Sequence, residues 1–492
     1  MQSYIMHSLA DIYDELTLGR PVPEIRSEGE KVLTSDRIEY WHNQLIDRKL
    51  KHGDRLLLLT AASTESVAIM VAAWHLGVVV SPLPPHTRPE SLDAIASDCG
   101  ACQVVDVAAK TWQAYESAVR TEQFIFRTPP RVTGSDLALI IYSSGSTGVP
   151  KGIMLSHANV LSALRSITSY LNLHVDDTLL CAPPLHFDYG LYQVLFGFYV
   201  GCRVVLAPQS CNAMQLLKLI KHEQPSVIPL VPALGGGLAK LGNALKQQFD
   251  CVRLLTNTGG HLPEMVVQNL KQVFPTADVM LMYGLTESKR ALFLPVDKVE
   301  LKPDSVGKPM PGLEAKVFTE VQHNGRTCLK ECEPDEIGML YVRGSSLMQG
   351  YTRADNGAGA LIIAGDYRDD NWLSTGDLFS YDQDGDFYFR GREKELIKQA
   401  GFCLYPRNLE SVTEKHADVL DCAVVGVRGE DGDEHACLFV RTETSLDKPT
   451  LINWLQQHFD APYLPRRIEF IGNWPTNQNG KVDKKALTQR LS

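Results

Sequence analysis

Three polar stretches of the chain carry residue types whose spacing could do chemistry on a phosphate-bearing ligand. The first, "YSSGSTGVPKG", runs from Tyr142 to Gly152 and follows the apolar run "LALII". The hydroxyls of Ser143, Ser144, Ser146 and Thr147, with the exposed amides around Gly145 and Gly148, can surround phosphate oxygens, and Lys151 adds a cation. The loop is not a P-loop, because Pro150 stands where the second glycine belongs and Gly152 replaces the hydroxyl residue. Nor is it the strained Ser elbow of a serine hydrolase. A flexible Ser/Gly surface turn has the same composition. The second stretch, "STGDL", presents Asp377, which suits a hydroxyl-binding role and equally a turn cap. The third, "NQNGKVDKKAL", projects Lys481 from a glycine turn; a solvated lysine beside Lys484 and Lys485 is the alternative.

The elements that must position these residues alternate in type. From about residue 55 to 290, β-branched runs such as "RLLLLT", "VVVSPL", "SVIPLV" and "DVMLMYG" are separated by amphipathic stretches such as "HANVLSALRSITSYL" and "PEMVVQNLKQVF". Such alternation implies an α/β fold of helix-covered, mainly parallel sheets, whose ligands bind beyond the carboxyl ends of the strands. Between about 300 and 390 the pattern becomes short strands with turn signals, which predicts a β-rich subdomain. Residues 391–492 read as a compact α+β unit, so we expect a large N-terminal domain over 1–390 and a small C-terminal domain over 391–492.

With 492 residues the chain exceeds one hydrophobic core, and its net charge of −10 argues against a surface that coats nucleic acid. No basic leader followed by an apolar core opens the sequence, and no run reaches the length of a bilayer span. The nearest, "SVAIMVAAWHLGVVVSPL", is interrupted by Gly77 and Pro82 and reads as a buried helix followed by a buried strand. These features predict a cytoplasmic protein without a membrane partner. Eleven cysteines stand mostly alone; the pairs Cys99/Cys102 and Cys328/Cys332 lack the further ligands of a zinc site, so reduced core thiols are expected.

Six segments, "YSSGSTGVPKG", "MYGLTE", "GMLYVRGSSLMQGY", "STGDL", "GREKELIKQAG" and "NGKVDKKAL", resemble in order and spacing the motifs of the adenylate-forming enzymes: acyl-CoA synthetases, nonribosomal adenylation domains and beetle luciferase. The resemblance covers essentially the whole chain. It implies ATP and Mg²⁺ as cofactors, with Ser143, Ser144, Gly145, Ser146, Thr147, Gly148 and Lys151 around the β- and γ-phosphates. By the same resemblance Thr286 contacts the α-phosphate, Glu287 holds Mg²⁺, and Tyr283 stacks on adenine beside Gly259 and Gly260. Asp377 accepts from the ribose hydroxyls with Arg392 close by, and Lys481 is the catalytic lysine of adenylation. A fixed cation there answers a physical need, because carboxylate attack on the α-phosphorus drives one anion onto another. The family's mobile C-terminal domain implies a hinge at Lys394 and a thiol tunnel bordered by Gly401.

The acyl pocket is read in the same way. In amino-acid-activating relatives an aspartate after the phenylalanine of "PPLHFDYGLYQVLFG" pairs with the substrate ammonium, and Asp188 stands there. A buried carboxylate needs a cationic partner, and Arg290 is the internal alternative; if the two pair, the substrate lacks an amine. Tyr189, Tyr192 and Met282 are expected to line the pocket and restrict it to a small acid. The pattern resembles stand-alone ligases, including those that load proline onto carrier proteins, and also resembles a group of acyl-CoA ligases. The expected acceptor is the phosphopantetheine of a separate carrier protein or CoA itself; the leading expectation is activation of a small amino acid such as proline for a carrier protein, and the alternative is a CoA ligase for a small amine-free acid. Intact Lys481, Glu287 and Asp377 speak against a non-catalytic adenylate-binding protein.

Overall fold

The computed structural model describes residues 6–19, 21–27, 31–115, 130–143, 151–209, 211–323, 326–353, 362–364, 370–399, 402–428, 434–442, 445–472, 474–476 and 482–491. Ser144, Gly145, Ser146, Thr147, Gly148, Gly401 and Lys481 lie outside them.

Two large sheets form the N-terminal part. One has seven strands, in which Arg55–Leu59, flanked by Val79–Leu83 and Gln103–Asp106, pairs in parallel with both. The other has nine; six of its strands run parallel, from Ile25–Ser27 across to Asp278–Tyr283, and antiparallel strands close both ends. Helices Thr64–His75 and Asp188–Val200 are apolar on every side and buried almost throughout, as expected of helices enclosed by protein rather than covering one face. The segment that came nearest to a bilayer span is thus a core helix and strand, and no helix among the described residues is long and apolar enough to cross a membrane.

Local sequence starts these helices where the pattern predicts. Ser63 and Ser156 cap their helices by accepting from backbone amides, and Ser156 and Asn159 complete a reciprocal capping box. The caps fix where the parallel strand Arg55–Leu59 and the antiparallel strand Lys151–Ser156 hand over to their helices. The carboxyl ends of Val79–Leu83, Leu137–Ser143, Thr178–Cys181, Leu254–Asn257 and Asp278–Tyr283 all lead into one cleft of about 2830 Å³.

A six-stranded, mostly antiparallel sheet occupies the region expected to be β-rich. Its last turn gathers Asp382, Asp384 and Asp386, a constellation that could suit a cation. The Lys302 ammonium already sits among them at 2.6, 2.8 and 2.6 Å. Beyond it, a two-stranded and a three-stranded sheet with helices Pro406–Thr413 and Lys448–Gln456 make the small α+β unit. The cysteines carry no disulfide, but not all are core thiols: Cys328 and Cys403 are exposed, because they lie on short strands with one face in solvent.

At the amino ends of the parallel strands, opposite the cleft, buried Asp177 ties three neighbours together. It accepts from Arg253 Nε at 2.8 Å and Nη2 at 2.6 Å, from Ser226 Oγ at 2.7 Å and from the His174 amide at 2.8 Å. Burial works to raise the Asp177 pKa, but Arg253, the His174 amide and Ser226 outweigh it and hold the carboxyl below its ordinary value. Its stabilisation is therefore present above the unfolded pKa of roughly 4 and is lost as pH falls through the lower folded value. We expect Arg253→Met to cost about 1.5–3 kcal/mol in urea unfolding at pH 7, a charged hydrogen-bond partner's usual worth. The difference from wild type should shrink below pH 4; an equal penalty at pH 3 and pH 7 would contradict this.

Candidate active site

The cleft is built from loops, and the first of them is a hairpin tip. Strands Leu137–Ser143 and Lys151–Ser156 pair antiparallel with Ser143 opposite Lys151, so the residues between them form the connection. Ser143 and Lys151 both line the cleft. The base of the hairpin is braced from outside by the Asp98 carboxylate. It takes the Tyr142 hydroxyl at 2.5 Å, the Thr352 hydroxyl and the Arg353 guanidinium. A side chain at Gly152 would strike Thr352 and the Tyr142 ring at 2.7 and 2.9 Å, so only glycine admits this close crossing.

The second loop joins strands Asp278–Tyr283 and Leu292–Leu294, which pair antiparallel. Its residues, "GLTESKRA", double back tightly: a Cβ on Gly284 would lie 2.1 Å from the Lys289 carbonyl oxygen. Lys289 itself has a φ of 70°, an uncommon and strained conformation for a side chain of its length. The turn places Thr286 and Glu287 on the cleft wall and folds Lys289 beneath them, its ammonium donating to the Thr286 carbonyl at 3.0 Å.

Glu287 receives a hydrogen bond of 2.9 Å from Tyr351, and the Tyr351 ring lies 5.4 Å from the Lys151 ammonium. Tyr351 belongs to a two-residue strand that leaves the β-rich region and pairs with the hairpin strand at Ile153. It therefore joins the two loops physically. Sequence reasoning quoted it within "MQGY" but gave it no role; nothing in its local pattern tells that this strand crosses to the other sheet.

Tyr283, Asp377 and Arg392 meet at the outer end. The Tyr283 hydroxyl donates to Asp377 Oδ2 at 2.6 Å, Arg392 Nε lies 3.4 Å from Oδ1, and Asp377 and Arg392 are register partners across their strands. Burial pushes the Asp377 carboxyl above its ordinary value, against the pull of Arg392 and Tyr283. Gly259, with a φ of 85°, and Gly260, whose Cβ would press on Pro232 at 3.1 Å, border the same space. Lys394 lies in a short 3₁₀ turn on the cleft edge, next to Glu395. Lys484 is not a freely solvated lysine: it bridges Glu395 at 2.8 Å and Glu410 at 3.0 Å.

The acyl pocket departs from expectation in two places. Asp188, in the first turn of its helix and only 4% exposed, faces Lys289 Nζ at 3.8 Å rather than Arg290. Burial, partly countered by Asp188 and Glu287, lowers the Lys289 pKa to about 8, so the ammonium remains mostly charged at neutral pH. Arg290 instead lies over the Tyr189 ring at 4.7 Å, donates to the Lys289 carbonyl, and has no carboxylate partner among the described residues. Its Nε is buried without an acceptor. Tyr189 and Tyr192 do not line the cleft. Their helix is enclosed on all sides, so Tyr189 turns to the adjacent sheet and bonds the Thr256 hydroxyl at 2.6 Å, while the Tyr192 ring backs Lys289 at 6.0 Å. Met282 does line it, together with Phe187 and His186. Desolvation lowers the His186 pKa to about 4, so the ring is neutral, and its Nδ1 has no partner.

Comparison with known proteins accounts for this assembly. The AMP-binding enzyme family model matches residues 35–352, and the model of the AMP-binding enzyme C-terminal domain matches 408–481. A 4-coumarate–CoA ligase of Humulus lupulus is 26% identical over 100% of this chain and 94% of its own length. Among solved structures, ATP-bound MatB from Rhodopseudomonas palustris superposes with a TM-score of 0.82 at 24% identity, covering 98% of both chains. The o-succinylbenzoate CoA synthetase MenE from Bacillus subtilis, in complex with ATP and magnesium ion, gives 0.79 at 22% identity, covering 98% of this chain and 99% of that one. No proline–carrier-protein ligase stands among these three. The chain belongs to the AMP-binding enzyme family: it is an adenylate-forming acid–thiol ligase that uses ATP and Mg²⁺.

Proposed function

We propose that this enzyme activates a small, amine-free carboxylic acid and passes the acyl group to the thiol of CoA, in the cytoplasm. One observation carries the reading: the carboxylate expected to receive a substrate ammonium, Asp188, already faces an internal ammonium 3.8 Å away on Lys289. A second ammonium brought into the same buried space would meet two cations and one carboxylate, and desolvating it there would be costly. The CoA-ligase relative of full length supports CoA as acceptor.

In this reading the hairpin tip from Ser143 to Lys151 grips the β- and γ-phosphates, and Thr286 approaches the α-phosphate. Tyr283, Gly259 and Gly260 hold the adenine, and Asp377 with Arg392 the ribose. Glu287 fits a hard divalent cation, because its carboxylate faces the cleft and is oriented by the Tyr351 hydroxyl. Bound there, Mg²⁺ would neutralise charge on the phosphates as pyrophosphate leaves. Lys481 supplies a second cation to the α-phosphate during attack. The acid's carboxylate oxygen forms the new bond to the α-phosphorus as the bond to pyrophosphate breaks; the thiol then displaces AMP. Between the two steps the C-terminal unit, divided from the core at about residue 390, turns about Lys394 and brings Gly401 to the thiol path.

The decisive measurement is ATP–pyrophosphate exchange across small acids with and without an amine, followed by AMP release with and without CoA. We expect exchange with amine-free acids and AMP release that requires CoA alone. Exchange confined to an amino acid such as proline, with AMP release only on a carrier protein, would replace this reading. Lys481→Ala should slow adenylation by about 10²–10³-fold, the usual effect of deleting a transition-state charge partner, while transfer from preformed adenylate is kept. Tyr351→Phe, which removes only the hydroxyl on Glu287, should raise the Mg²⁺ concentration for half-maximal exchange about ten-fold or more, as losses behind metal ligands do. An unchanged Mg²⁺ dependence would remove Tyr351 from the metal's support.

A further inference from the structure

The floor of the acyl pocket carries one more positive charge than it can balance. Lys289, 1% exposed, faces Asp188, whereas Arg290, 6% exposed, faces only tyrosine rings and a backbone carbonyl. Glu287, whose charge also acts on Lys289, makes no ion pair with Arg290 and takes the Tyr351 hydroxyl instead. His186, which also lines the cleft, is neutral and leaves Nδ1 unpartnered. A buried guanidinium with an orphaned N–H is costly to keep, and sites that keep one are commonly completed by a ligand anion.

We propose that the acid carries a second anionic group at its far end, a carboxylate received by Arg290 with His186 beside it, so that the preferred substrate is a short dicarboxylic acid. This inference rests on the amine-free reading of the pocket. One carboxylate goes to the phosphates and is consumed in the new acyl bond. The other remains ionised and brings the pocket to neutrality, as two carboxylates (Asp188 and the ligand's) against two cations. A plain monoacid leaves Arg290 uncompensated, and an amino acid adds to the surplus. The guanidinium's fork also suits a planar carboxylate held through two oxygens.

The test uses the full-length enzyme and ATP–pyrophosphate exchange with malonate, succinate, glutarate and phthalate. Set against them are the mono-methyl ester of each, propionate, butyrate and benzoate, and the amino acids proline and glutamate. We expect one diacid to exceed its own mono-ester by at least about 100-fold in kcat/KM, the scale of discrimination when a built polar partner is left unpaired. In Arg290→Gln that ratio should collapse toward unity, and Arg290→Lys should restore part of it. If the variants fail to fold by thermal unfolding, the wild-type ratios alone decide. Monoacids matching or exceeding the diacids, with CoA-dependent AMP release, would overturn the second anion while leaving the amine-free ligase intact. Exchange with proline alone would overturn both, and no exchange with any diacid would overturn this proposal whatever else is activated.

Discussion

The placement of a charged loop directly over the buried start of a helix governs how this cleft works. Asp188 begins a helix that is enclosed between sheets, so its carboxylate is almost wholly withdrawn from solvent even though it borders the cleft. The helix terminus offers it partial positive charge, but an ion there still needs a full counter-charge. The loop after Tyr283 supplies it by reversing sharply at Gly284 and holding Lys289 in a left-handed conformation. That one turn aims Glu287 outward to the cleft and Lys289 inward to Asp188. A single reversal of the backbone thus sends two neighbouring charged side chains in opposite directions. The strain of the reversal is balanced by the pairing it makes possible.

A second feature links otherwise separate parts. Tyr351 reaches the loop through its hydroxyl and Lys151 through its ring, from a strand borrowed by the other sheet. Asp98 performs the same service below, collecting Tyr142, Thr352 and Arg353. The hairpin is thus anchored at its base by side chains whose own sequence positions are more than forty residues away.

Much of this was legible in the residues. The alternation of strands and helices, the β-rich interval and the α+β tail follow from periodicity and turn chemistry, and Ser143, Lys151, Glu287, Asp377 and Arg392 converge on one cleft. What escaped the sequence was directional. Tyr189 and Tyr192 sit on the same helix as Asp188 and were expected beside it. A first-turn side chain leans past the helix end toward the cleft, whereas residues one and four positions on point into the layers that enclose it. For Asp188 the residues offered a substrate ammonium or, as the internal alternative, Arg290, and Lys289 went unconsidered. The positive φ at Lys289, which turns the neighbouring ammonium to the carboxylate instead, leaves no mark in the residue types. Tyr351 was missed because strand exchange between sheets is a property of the whole topology.

The ion pairs around the small C-terminal unit divide into two kinds. Lys484 binds Glu395 and Glu410, all three beyond Lys394 in the chain, so any turn about that residue carries them as one body. His261 with Glu414 at 3.7 Å and Lys415 with Asp304 at 3.4 Å instead span the divide. The Lys415–Asp304 pair is solvent-exposed and worth no more than about 1 kcal/mol, whereas burial pushes His261 well below its ordinary pKa, so that it meets Glu414 as a neutral ring. Any rotation about Lys394 would have to part these two contacts while leaving the Lys484 bridges whole.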